Sequence, residues 1–254
     1  KTAEASDVVV LCLGESKQWS GENASRSTIA LPDIQEKLLL HLKQANKPIV
    51  LVLSSGRPLE LIRLEPQVEA IIVAGGTPLA GILSGRVNPS GKLSVTFPLS
   101  TGQIPVYYNM RQSARPFDAM GDYQDIPTEP LYSFGYGLSY TTFVYSDAKL
   151  SSLKIRKDQK ITAEVTVTNA GKVEGKETVL WYVSDPFCTI SRPMKELKFF
   201  EKQSLNAGES RVFRFDIDPM RDLSYTDATG KRFLEPGEFI VSVGGRKLTF
   251  EVVD

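Results

Sequence analysis

The sequence is poor in the residue types most often recruited for chemistry at neutral pH. Its 254 residues hold one histidine and two cysteines, and thirty acidic side chains balance thirty basic ones. His41 falls on a predicted helix and reads as a solvated residue. That argues against Ser-His-Asp and Cys-His catalysis and against histidine-rich metal sites. Cys12 alternates within an apolar strand and reads as a buried thiol, while Cys188 lies far along the chain in a loop-like segment. No disulfide between them is expected, and neither has neighbours at metal-ligand spacing. Nothing calls for a metal or a cofactor. A formal charge of zero speaks against a non-specific nucleic-acid binder, which needs a basic face. No apolar run approaches the roughly 18 residues of a membrane-spanning helix, so no membrane partner is expected. The start, "KTAEASDVVV", resembles neither a signal peptide nor an initiator sequence. It reads as the middle of something longer.

What is present falls into two periodicities. Over the first hundred residues, strand-like and helix-like segments alternate. "VVVLCLG" (8–14) predicts a strand covered on both faces, and "LPDIQEKLLLHLKQANKP" a helix whose inner face is Ile34, Leu38, Leu42 and Ala45. "PIVLVLSSG" (48–56) and "AIIVAGG" (70–76) predict further strands. "RPLELIRLEPQVE" reads as a short helix broken at Pro66, "TPLAGILSG" as another short helix, and "NPSGKLSVTFP" as a turn and a final strand. Strand, helix, strand implies parallel strands joined by right-handed crossovers, with any ligand crevice beyond their carboxyl ends. From about Phe143 the period becomes two. "KITAEVTVTNAG", "KETVLWYVSD", "RVFRFDID", "GEFIVSVGG" and "KLTFEVVD" are short strands separated by turn signals, the pattern of an antiparallel sandwich. The fold class expected is therefore α/β plus all-β. The α/β domain would span 1–100, an aromatic and proline-rich linker 101–142, and the β-sandwich 143–254. In the sandwich, Trp181, Tyr182 and Phe199 read as core residues.

The loop after the first strand, "GESKQWSGENASR" (14–26), leaves that strand at its carboxyl end and carries Glu15, Trp19, Glu22 and Arg26. A carboxyl group partly shielded from water by an aromatic ring favours its protonated form, which a general acid needs. Trp19 also offers a stacking face for a sugar ring. The plain alternative is an exposed loop, for which Gly, Ser and Glu are common.

Four stretches resemble, in order, the C-terminal portion of a glycoside hydrolase family 3 β-glucosidase of the bacterial periplasmic type. They are "VVVLCLGESKQWSGENASRSTIALP", "NPSGKLSVTFPLSTGQIPVYYN", "PLYSFGYGLSYTTF" and "SRPMKELKFFEK". The resemblance implies an α/β sandwich domain followed by a fibronectin type III-like domain. It also implies a retaining hydrolase acting on terminal non-reducing β-D-glucosyl residues, periplasmic or secreted. In that family the nucleophile is an aspartate on an N-terminal (β/α)8 barrel, which is missing from this sequence. The acid/base is a glutamate on a loop of the α/β domain. Matched to the family's E-x-x-S-R pattern it falls on Glu22, with Glu15 the weaker candidate and Arg26 a loop brace. The family run around "EAIIVAGGTPLAGILSG" is longer and contains a tryptophan that this sequence lacks.

Without the barrel, the chain alone is expected to be inactive. A reading from another class is a non-catalytic carbohydrate-binding or scaffolding protein, using Trp19, Tyr107, Tyr108 or Phe117 as sugar platforms. The surface that would meet the barrel should leave an apolar patch near 14–26 and 101–125, favouring weak self-association.

Overall fold

The computed structural model describes residues 1–73, 79–111, 123 and 125–254. Phe117 lies outside the described residues. The chain forms two compact units. The first takes the described residues within 1–86, 93–107 and 116–136, and the second those within 87–92, 108–115 and 137–254.

The first unit is built on three parallel strands in the order β1 (Val9–Gly14), β2 (Ile49–Ser54) and β3 (Ala70–Val73). The β1–β2 crossover contains helix α1 (Asp33–Lys43), which opens on Asp33 and Glu36 and closes on His41 and Lys43, the charge order a helix dipole favours. Gln35 bonds both backbone groups of Gly14, accepting from its N–H and donating to its C=O, each at 2.9 Å. That tie turns Gln35 and the residue one turn on, Leu39, towards the sheet. Leu39 is buried and Leu42 packs on the same core as expected, while Ile34 and Leu38 are exposed, so the inner face is only partly the one expected. His41 is exposed.

Leu39 joins Leu11, Leu13, Leu51, Leu53, Leu59, Leu61 and Phe97 in one core. Two-sided burial of β1 is not observed. Alternate residues Val8, Val10 and Cys12 stand exposed because β1 is an edge strand whose other face carries the core. Cys12 is thus an exposed thiol rather than a buried one, and both cysteines are free. The helix expected over "RPLELIRLEPQVE" is a chain of turns ending in a single 3-10 turn, Glu65–Gln67, because Pro66 removes a donor at its start. Helix α2 is one short turn, Leu79–Leu83. The strand expected near 93–97 forms no ladder; Phe97 makes an isolated antiparallel bridge with Tyr132.

The second unit is a β-sandwich. One sheet has the order β5-β13-β12-β7-β8 and the other β4-β6-β9. The strands are β4 (Phe143–Leu150), β5 (Lys154–Arg156), β6 (Ile161–Asn169), β7 (Gly175–Ser184), β8 (Glu196–Leu205), β9 (Ser210–Ile217), β12 (Gly237–Val243) and β13 (Arg246–Val253). A small ribbon, β10 (Tyr225–Thr226) with β11 (Arg232–Phe233), lies apart from both sheets. Neighbours are antiparallel except β5 with β13. Strict alternation in β6 and β7 buries Ile161, Ala163, Val165, Val167, Val179 and Trp181 against Phe213, Phe215, Phe239 and Phe250.

Trp181 is fully buried, as expected, but Tyr182 points to the opposite face beneath Tyr108, at 6.1 Å between ring centroids. Phe199 stacks on Phe215 yet stays partly exposed. The segments "NPSGK" and "SYTTF" are fastened within this unit by a half-buried and a fully buried asparagine. The Asn88 side chain accepts from Ser139 and Tyr140 and donates to Glu174, and the fully buried Asn169 accepts from Thr141 and donates to Val173 and Leu205.

Candidate active-site loop

Residues 15–31 leave β1 at the carboxyl edge of the parallel sheet and return to the core at Ile29 and Leu31. The loop is anchored at both ends. At its entry, Gly14 is held by Gln35, and Glu15 N–H donates to Ser54 C=O at 3.0 Å. At its exit, Ile29 N–H donates to Thr101 Oγ1. Thr101 in turn gives its N–H and its hydroxyl to Glu60, each at 2.8 Å.

Between these anchors the two glutamates have opposite environments. The Glu15 side chain is 2% exposed. Arg57 Nε lies 3.2 Å from each carboxylate oxygen, with its hydrogen bond directed to Oε2, and Ser55 Oγ donates to Oε2 at 2.8 Å. Oε1 is buried with no hydrogen-bond donor among the described residues. Removing one partner of such a buried pair leaves the other charge uncompensated, at a cost of about 3–5 kcal/mol.

Glu22 is exposed. It is the second residue of a turn closed by Ala24 N–H donating to Gly21 C=O at 3.3 Å. Gly21 takes φ +117° and Asn23 φ +60°, while Glu22 does not enter the positive-φ region. The positive φ at the third position is the sign pattern of a type II turn, and glycine and asparagine are the residues that tolerate these angles. The backbone thus places the Glu22 carboxylate at the apex of a tight bend.

Trp19 ends a short 3-10 turn, Lys17–Trp19, and is partly buried. One face of its ring is covered by Arg26, whose guanidinium carbon lies 3.6 Å from the ring centroid. Arg26 also donates through Nε to Thr28 C=O at 3.0 Å, so it braces the loop without pairing to either glutamate. A sugar could stack only on the ring's remaining face. Between 14 and 26 no large hydrophobic residue is exposed, so the apolar patch expected there is absent. In the other stretch where it was expected, 101–125, Ile104, Tyr107 and Met110 are exposed among the described residues, and Val8 and Val10 are exposed ahead of the loop.

The sequence reading did not find Arg57. Its guanidinium reaches past Glu15 to the loop backbone, with Nη2 donating to Ala24 C=O at 2.9 Å and, through a short contact, to Trp19 C=O. The available signal was its place in "SSGR", just past the carboxyl end of the neighbouring parallel strand and on the same edge as the loop. Chemically, the loop presents one solvent-facing carboxylate on a braced turn, able to give or take a proton. No group of three or more side chains suited to holding a metal ion occurs among the described residues.

Residues 1–140 match the glycosyl hydrolase family 3 C-terminal domain, and residues 177–247 a fibronectin type III-like domain. The periplasmic β-glucosidase of Salmonella typhimurium is 43% identical across 96% of this chain, and a putative β-xylosidase of Formosa agariphila is 39% identical across 98%. The crystal structure of a β-glucosidase from Listeria innocua in complex with glucose superposes with a TM-score of 0.92, at 39% identity and 98% coverage of this chain. In each case this chain spans only about a third of the longer relative: 33% and 34% of the two curated proteins and 37% of the crystallised one.

Proposed function

Because the chain belongs to glycosyl hydrolase family 3, we propose that it supplies the general acid/base of a retaining β-glucosidase and that Glu22 is that group. The observation that carries the reading is the division of labour in the loop. Glu15 is buried and committed to Arg57, whereas Glu22 stands exposed at the apex of a braced turn at the sheet's carboxyl edge.

Glu22, protonated, gives its proton to the glycosidic oxygen as the aglycone leaves, while a second carboxylate attacks the anomeric carbon to form a glycosyl-enzyme. Glu22, now ionised, takes a proton from the water that hydrolyses this intermediate. The two carboxyl groups of a retaining enzyme stand about 5–5.5 Å apart. We assign the nucleophile to a barrel domain lying in the two thirds of the relatives that this chain does not span. We infer a terminal, non-reducing β-D-glucosyl residue as the substrate class, which relatives named β-glucosidase support, and the periplasm or the cell exterior as the compartment, which the Salmonella typhimurium relative named periplasmic supports in part.

The test is made on the full-length enzyme. Glu22→Gln should lower turnover of unactivated β-glucosides by about 10²–10⁴-fold. Formation of the glycosyl-enzyme from a dinitrophenyl glucoside, whose leaving group needs no proton, should be nearly unchanged. Equal losses on both substrates would remove Glu22 from the acid role. The 254-residue chain alone should turn over neither substrate, because acid and nucleophile act as a unit. Calorimetric binding of cellobiose or laminaribiose by this chain alone would favour the non-catalytic carbohydrate-binding reading instead.

A further inference from the structure

We propose that Arg57 is the positioning residue of this site: a guanidinium clamp that fixes the turn carrying Glu22. The proposal rests on the reading of Glu22 as acid/base and adds the residue that holds it in place.

The geometry is that of a pin through the neck of a loop. Trp19 and Ala24 flank the four residues Ser20–Asn23, and both of their carbonyls accept from the same nitrogen, Arg57 Nη2. The other side of the guanidinium, Nε, is held by the buried carboxylate of Glu15, which Ser55 also binds. Arg57 therefore cannot swing away without stranding Glu15, and the neck cannot open without leaving Nη2 unpaired. A planar fork with donors in fixed directions suits this task. A lysine ammonium would supply the charge but not the geometry.

A second observation, independent of any hydrogen bond, places the Arg57 segment tightly against the loop. A Cβ built on Gly56 would meet Ser20 Oγ at 1.9 Å and Ser20 Cβ at 3.1 Å, so a larger residue there would force the Ser20 hydroxyl to turn away from this close approach. The clamp thus spans the whole route from the end of β1, through Glu15 and Arg57, to the residues on either side of Glu22. Glu22 itself is exposed and has no side-chain partner among the described residues; its place is set by the backbone of the turn. A carboxyl group that must meet a leaving oxygen to within a fraction of an ångström depends on such a frame, and displacement by about 1 Å can cost about 10²-fold in rate.

Two measurements test the proposal. In the first, amide hydrogen exchange is followed on the 254-residue chain, with the Trp19 and Ala24 amides, both bonded within the loop, as reporters. Because Arg57→Ala alone leaves Glu15 buried and unpaired, the companion variant is Glu15→Gln/Arg57→Met, which removes both charges together. Both variants should speed exchange at Trp19 and Ala24 by about tenfold or more while β2 and α1 keep their protection, and Arg57→Lys should not restore it. Unchanged exchange in the double variant would overturn the clamp.

The second measurement uses the full-length enzyme. Arg57→Lys should lower turnover of alkyl β-glucosides by about 10²-fold and affect dinitrophenyl glucosides far less, and it should add little in a Glu22→Gln background. Equal loss with both leaving groups, or full additivity with Glu22→Gln, would reduce Arg57 to a merely structural residue. If Glu22→Gln itself shows no leaving-group dependence, the acid assignment fails, and the clamp is then judged by exchange alone.

Discussion

Arg57 in the α/β unit and Arg192 in the β-sandwich use the same chemistry for different ends. Each is drawn largely out of water, pairs with a carboxylate and gives a further N–H to a backbone carbonyl. Arg192 is 7% exposed and lies 3.0 Å from both Asp185 and Glu196, while Nη1 also donates to Leu223 C=O at 2.6 Å. Arg57 is 22% exposed, pairs with Glu15 and grips Trp19 and Ala24. The difference lies in what each leaves outside. Around Arg192 both carboxylates are used up in joining the loop after β7 to the start of β8 and to Leu223. Around Arg57 one carboxylate is used up so that another, Glu22, can stand free. A buried ion pair is therefore not by itself the mark of a site. In the reading proposed for Glu22, the mark is the unspent group that the pair holds in place.

The sharpest way to break the comparison is to remove Arg192. Arg192→Ala strands Asp185 and deprives Glu196 of one partner, and it should destabilise the sandwich by about 3–5 kcal/mol in chemical denaturation. Burial already pushes the Asp185 carboxyl above its ordinary range, with Arg192 opposing that rise. Without Arg192 the folded state favours protonated Asp185 still more strongly. A folded-state pKa above the unfolded value gives stability that is present at low pH and lost as pH rises, so the deficit should grow as pH is raised through the acid range towards neutrality. A loss below about 1 kcal/mol at neutral pH would place Arg192 among ordinary surface pairs.

The same contrast shows where the sequence was legible. Strands β6, β7 and β12 alternate so regularly that the inward residues Val165, Trp181 and Val241 could be read directly, and β2 is apolar enough to declare itself central. Strand β8 was not resolved as a strand by period. Its "KFFEK" sets two phenylalanines side by side, and a register shift opposite Trp181 and Tyr182 breaks the alternation. Helix α1 was found, but its three consecutive leucines, Leu38, Leu39 and Leu40, left the inner face ambiguous. The choice is made by Gln35 bonding Gly14, a contact between residues 21 apart. In the loop, Glu22 and Glu15 look alike as letters. They are separated by Arg57, which lies 42 residues from Glu15 in the chain. Periodicity reports which face is buried; it carries no information on which distant cation meets which anion.

A smaller effect is expected where the Arg192 loop is held from its other side. Glu235 accepts from the hydroxyl and the N–H of Thr189 and from Tyr225. These bonds, led by the Thr189 hydroxyl, hold its carboxyl down at about 2. A folded-state pKa below the unfolded value gives stability that is present above about pH 4.5 and is lost as pH falls towards about 2. Glu235→Gln should therefore lower the melting temperature at pH 7, by about 1 kcal/mol in stability once screening near the surface is allowed for. The gap to the parent chain should narrow as pH approaches 2. A gap that is constant with pH would mean that the amide loses packing rather than charge.

The smallest effect belongs to Arg26, and it separates bracing a backbone from covering a side chain. Arg26 lies over the Trp19 ring and donates to Thr28, but it touches neither carbonyl of the loop's neck. An exposed cation–π contact contributes about 0.5–1 kcal/mol, so Arg26→Ala should cost no more than that in denaturation. Its clear signal is optical. Of the two tryptophans, Trp181 is fully buried, so acrylamide quenching reports mainly on Trp19 and should increase when Arg26 is removed. In the full-length enzyme, Arg26→Ala should leave the preference between good and poor leaving groups nearly unchanged, because the Arg57 clamp remains. If Arg26→Ala instead reproduced the leaving-group dependence expected of Arg57→Lys, the stack on Trp19 would share in placing Glu22, and the neck of the turn would not be held by Arg57 alone.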